Sequence, residues 1–92
     1  MTYKGEKLDT IGQVFDKALF IAKNHPDEVI DFFDEYVHHI MECNPKINKQ
    51  KAIERAKSNF GYYAGYFSDK TREIIEETYG AIHPFFGSVK NY

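Results

Sequence analysis

The sequence predicts an all-α fold, a compact bundle of about four helices with an aromatic C-terminal segment packed on it, and three features carry that prediction. Apolar residues recur at helical spacing in successive stretches, the stretches open on capping residues or a proline, and Asn44-Pro45 and Gly80 supply stops. Eight Phe, seven Tyr and an apolar fraction of 42% give a globular composition. The whole chain, 1–92, reads as one helical domain.

Residues 1–9 are polar with one glycine and read as a loose N-terminal arm. Thr10 then caps a first helix over residues 10–24, with Gln13 placed to complete a capping box. Ile11, Val14, Phe15, Ala18, Ile21 and Ala22 form its apolar stripe. Pro26 suits the first position of a second helix, 26–43, and Asp27 and Glu28 suit the positive end of its dipole. At about 100° per residue, Val29, Phe32, Phe33, Tyr36, Val37 and Ile40 share one face. Asp31, Asp34, Glu35, His38 and Glu42 share the opposite one.

Asn44-Pro45 ends that helix, because proline lacks the donor the next turn needs and restricts the residue before it. Asn48 caps a third helix, 48–67, with Ile53, Ala56, Phe60, Tyr63, Ala64 and Phe67 facing the bundle. Gly61 and Gly65 lie inside it at a cost of roughly 0.8 to 1.0 kcal/mol each, which calls for a close neighbour at the backbone or for a break near Gly61. Ser68 or Asp69 caps a fourth helix, 69–79, with Ile74, Ile75, Thr78 and Tyr79 inward and Glu73, Glu76 and Glu77 outward. Gly80 is its left-handed stop. The tail 81–92 carries His83-Pro84-Phe85-Phe86, too aromatic to be left in water.

Composition narrows the function classes. The formal net charge of −2 offers no overall positive field for nucleic acid or anionic lipid. Cys43 is the single cysteine, so one chain builds neither an internal disulfide nor a cysteine-based zinc site, in keeping with a cytoplasmic protein. No apolar run approaches the ~18 residues of a membrane span, and the first residues lack a signal-peptide pattern, so neither membrane insertion nor secretion is expected.

Four kinds of site were weighed. Glu35, His38, His39, Glu42 and Cys43 fall on adjacent turns, and Glu35-x-x-His38 has di-iron spacing. A second such motif is missing, and the helical wheel puts His38 on the wet face, so no metal or other cofactor is expected. Ser58, Ser68, Ser88 and Cys43 lack a recognisable activating neighbour, Glu76 and Glu77 diverge, and His83 belongs to a turn. No catalytic constellation follows, and an enzyme ranks third among the readings.

Lys46, Lys49, Lys51, Arg55 and Lys57 crowd the start of the third helix, and a phosphate-binding strip made of them is the alternative reading, a small nucleic-acid-binding accessory protein. The acidic second helix is expected to pair with that flank and occupy the cations internally. The leading reading is a non-enzymatic protein-interaction role. Once Phe15, Phe20, Phe32, Phe33, Phe60 and Phe67 fill a core of this size, Tyr62, Tyr66, Tyr79, Phe85, Phe86 and Tyr92 are left over as anchors for a homo-oligomer or another protein. The competing possibility is that the tail closes its own core. Self-association is slightly favoured because so short a chain has a small core.

Asn59-Phe60-Gly61-Tyr62-Tyr63-Ala64-Gly65-Tyr66-Phe67, with Thr71-Arg72-Glu73 and Tyr79-Gly80-Ala81-Ile82-His83-Pro84-Phe85-Phe86-Gly87 behind it, resembles small uncharacterised proteins encoded by bacteriophages and prophages. The resemblance spans residues 56–87 and leaves out the first two helices. It implies a bacterial or phage-infected host and transfers no catalytic residue. It also implies that Gly61, Gly65 and the His83-Pro84 turn form one structural unit, the glycine face of the third helix receiving the tail.

Overall fold

The computed structural model describes residues 1–62 and 69–80, with side chains for 1–60 and 70–80. Its elements in chain order are β1 (Thr2–Tyr3), β2 (Glu6–Lys7), α1 (Ile11–Asn24), a 3-10 turn (Pro26–Glu28), α2 (Val29–Cys43), α3 (Lys49–Tyr62) and α4 (Asp69–Tyr79). The described helices lie where the periodicity predicts them, the second opening on a 3-10 turn, while residues 63–67 of the predicted third helix lie outside the described residues. The notable differences lie at the N-terminus and in the fate of the charges.

Residues 2–7 form an antiparallel hairpin, not a loose arm, with Thr2 opposite Lys7 and Tyr3 opposite Glu6. Lys4 and Gly5 make the two-residue turn, both at positive φ (47° and 84°), which matches the twist of paired strands. A lone two-stranded hairpin is marginal in water, so its docking explains its order. Tyr3 and Leu8 are buried in the main core, and the Tyr3 ring meets Phe32 edge-on at 5.0 Å. The Leu8 amide donates to the Met1 carbonyl at 2.7 Å and prolongs the pairing.

The Thr10 capping box forms as read: the Gln13 amide donates to Thr10 Oγ1 at 3.1 Å, and Gln13 Oε1 accepts from the Thr10 amide at 3.0 Å. α1 buries Val14, Phe15, Ala18 and Ile21. Phe20, assigned to the core, is instead 50% exposed, since it lies opposite that stripe on the wheel. Ile11, in the first turn of α1, is also exposed. After His25 the chain tightens before α2 starts, because the Glu28 amide bonds the His25 carbonyl at 2.9 Å in an i to i+3 pattern.

α2 is the central element and packs on α1, α3 and α4. It buries the six residues predicted for its apolar face. α3 begins with Asn48 Oδ1 accepting from the Lys51 amide at 2.8 Å, and it sets Ala52, Ala56 and Phe60 against α2. Two alanines on that face let the helix axes approach closely. The helix runs past Gly61 to Tyr62 without breaking before it. Gly65, Tyr66, Phe67, Pro84, Phe85, Phe86 and Tyr92 lie outside the described residues, as does the packing of the tail. α4 buries Thr71 and Ile75 and keeps Ile74 and Tyr79 half-buried, while Thr78, expected inward, is exposed. Gly80 has φ 86°, the left-handed stop.

Phe60 joins the parts. Its ring lies 5.3 Å from Phe15 of α1 and 5.0 and 5.6 Å from Phe33 and Tyr36 of α2. Phe33 in turn stacks on Tyr79 of α4 at 4.5 Å.

Candidate functional site

The chemistry-bearing residues of this chain concentrate on the α2–α3 helical hairpin and divide there by sign. On α2 the face opposite the core carries Asp31, Asp34, Glu35 and Glu42 around His38, all exposed. On the connection and the start of α3, Lys46, Lys49, Lys51 and Arg55 are exposed as well. Among the described residues the expected internal pairing of these flanks does not occur. Among the described residues the ion pairs are Lys4–Glu28 at 2.8 Å, Lys17–Glu6 at 2.9 Å, His25–Glu28 at 3.8 Å and Lys57–Glu54 at 3.7 Å, and none joins α2 to α3. On α2 the reason is rotational: its apolar stripe turns toward the shared core, which directs Asp31, Asp34, Glu35 and Glu42 away from the contact. Across the contact itself the polar link is neutral, Asn59 Nδ2 donating to Tyr36 Oη at 2.7 Å.

Lys57 differs from the other four cations. It is half-buried and donates to the Tyr79 carbonyl at 3.1 Å, holding the C-terminus of α4 against α3. Lys49 and Lys51 stand in the first turn of α3, which holds no acidic residue. Positive charge there opposes the helix dipole, so these lysines are not placed to stabilise their own helix.

At the head of α2, Glu28 accepts from Lys4 Nζ at 2.8 Å and from Tyr3 Oη at 3.0 Å. The hydrogen bonds from Lys4 and then Tyr3 hold its carboxyl below the usual range, and Glu28 in return raises Lys4. Tyr3 is pushed up to about 12, first by burial, then by its bond to Glu28 and the negative charge of Glu28, Asp31 and Glu35.

Among the described residues, two surface clefts flank α2. One of about 420 Å³ lies between the hairpin and the acidic face, lined by Tyr3, Lys4, Asp31, Asp34, Glu35 and His38. The other, about 350 Å³, lies between α1, α2 and α3 and includes Ile11, His39, Cys43, Arg55 and Asn59. The residues weighed as metal ligands are therefore divided between the two, His38 with Glu35 and His39 with Cys43. Among the described residues no three His, Cys, Asp or Glu side chains converge. Cys43 Sγ lies 3.7 Å from His39 Nε2 at the C-terminal end of α2, where the helix presents carbonyls.

Of the residues read as interface anchors, Tyr79 is half-buried on Phe33, and the side chains of Tyr62, Tyr66, Phe85 and Phe86 lie outside the description. Ser58 is exposed on α3; Ser68, His83 and Ser88 lie outside the described residues. Sequence reasoning missed Tyr3 and its link to Glu28. The signal was slight, an aromatic and Leu8 bracketing a Lys-Gly turn.

Compared with known proteins, the chain has no significant match to a family model, to a curated protein or to a solved structure. Among the described residues no helix is long and apolar enough to cross a membrane.

Proposed function

We propose that this chain is a non-enzymatic protein-interaction domain that self-associates, acting in the cytoplasm of a bacterium or phage-infected cell. One observation supports the reading: the exposed acidic residues of α2 and the exposed cations at the start of α3 carry opposite charge, and among the described residues neither set has an ion-pair partner. Exposed charges of this kind contribute little to the stability of their own fold, whereas complementary patches steer association and fix register. The small core of a 92-residue chain favours the same reading, because association buries surface that one copy leaves wet. Light scattering on purified protein is expected to give a mass above the 10.8 kDa of one chain, falling toward it on dilution. A single-chain mass at the highest attainable concentration would defeat the proposal.

The exposed cations Lys46, Lys49, Lys51 and Arg55 also favour a second reading, in which the start of α3 tracks a phosphate backbone. Binding of labelled DNA or RNA at low salt, weakening steeply as salt is added, is its signature. The absence of low-salt binding removes it.

A further inference from the structure

We infer that the surface is reciprocal and that its occupant is a second copy of this chain: the acidic face of α2 docks on the basic connection and first turns of α3 of the other copy, and the converse contact forms across a two-fold axis. The inference rests on the self-association reading and names its interface. Charge complementarity selects the occupant. A nucleic acid engages the cations alone and is repelled by Asp31, Asp34, Glu35 and Glu42 on the adjoining helix, whereas a second copy satisfies both signs at once. An acidic partner protein likewise leaves the α2 face unmatched.

The proportions agree. Asp31 to Glu42 spans about 16 Å of α2 at ~1.5 Å per residue, and Lys49 to Arg55 spans about 9 Å of α3, extended by Lys46 in the connection. An isologous interface requires one two-fold operation to present each patch to its complement, and here both patches belong to consecutive helices of one hairpin. Docked carboxylates at the first turn of α3 also supply the negative charge that its own sequence lacks there. Among the described residues neither patch has an ion-pair partner in its own chain.

A charge exchange tests this. Two variants of the full chain are made, Lys46→Glu/Lys49→Glu/Lys51→Glu and Asp31→Lys/Asp34→Lys/Glu35→Lys, with helicity checked by circular dichroism. All six positions are exposed. Each variant alone is expected to weaken the dimer at least tenfold, on the order of 1.4 kcal/mol, and their equimolar mixture is expected to regain it, because both contacts are then attractive again. Should one variant fail to fold, the salt dependence of the native dimer decides: a dissociation constant rising with ionic strength supports the pairing, and a constant indifferent to salt overturns it. Native-like association of either variant alone, or a mixture that stays monomeric, also overturns it while leaving self-association through another surface standing. A native chain that is monomeric throughout fails the underlying reading itself.

Discussion

Phe60→Ala is expected to cost about 3 to 5 kcal/mol of folding stability, the range for removing a buried aromatic ring and leaving a cavity. The ring is 2% exposed and touches aromatic rings of α1 and α2 at once, so no single side chain relaxes into the space. At roughly 0.05 to 0.15 kcal/mol per residue, a chain of this length has about 5 to 14 kcal/mol in total. The variant should therefore lose between about a fifth and all of that stability. Phe20→Ala is the control: its ring is half exposed beside Lys17 and His25, and its loss should change stability by about 0.5 kcal/mol or less. Urea unfolding of both variants checks the pair, and equal losses would contradict the packing described.

The second large effect is expected at alkaline pH. Tyr3 has its folded-state value raised from 10.0 to about 12, so the folded chain holds this proton more tightly than the unfolded chain. Its contribution is full below pH 10 and is lost as pH rises toward about 12, amounting to roughly 2 to 3 kcal/mol at ~1.4 kcal/mol per unit. Glu28 works in the other direction. Its lowered value gives stability that is present above the ordinary carboxylate range and lost as pH falls through the lowered one. The N-terminal hairpin thus holds best between these limits and should release before the helices do. Unfolding free energies of the native chain and Tyr3→Phe, measured across pH 9 to 12, are expected to converge as the phenol ionises. Parallel curves would show that Tyr3 is not held by α2.

The helices were legible because their signals are local. Thr10 with Gln13, Asn48 and Gly80 mark ends through bonds to residues a few positions away, and the α2 stripe repeats over four turns. The hairpin was not, since its two-residue strands are too short for a period and owe their order to Phe32 and Glu28, far along the chain. Phe20 was misplaced by composition: an aromatic was assigned inward although its angle on the wheel points out.

The charged surface was half legible. Sequence identified the acidic and basic helices correctly, but whether they neutralise each other depends on how each rotates about its axis, and that is set by the core. Lys57 shows the same limit. It belongs to the basic cluster in sequence, yet the position of Tyr79 turns it inward.

The account depends on the basic flank of α3 being free of internal acidic partners, and the unfolding free energy of Lys46→Gln/Lys49→Gln/Lys51→Gln, measured against the native chain at a dilution where both are monomeric, tests this most directly. Stability is predicted to be unchanged or up to about 1 kcal/mol higher, because cations leave the positive end of a helix. A loss of more than about 1 kcal/mol that added salt abolishes would mean that these lysines pair with acidic residues of their own chain, and would contradict the account.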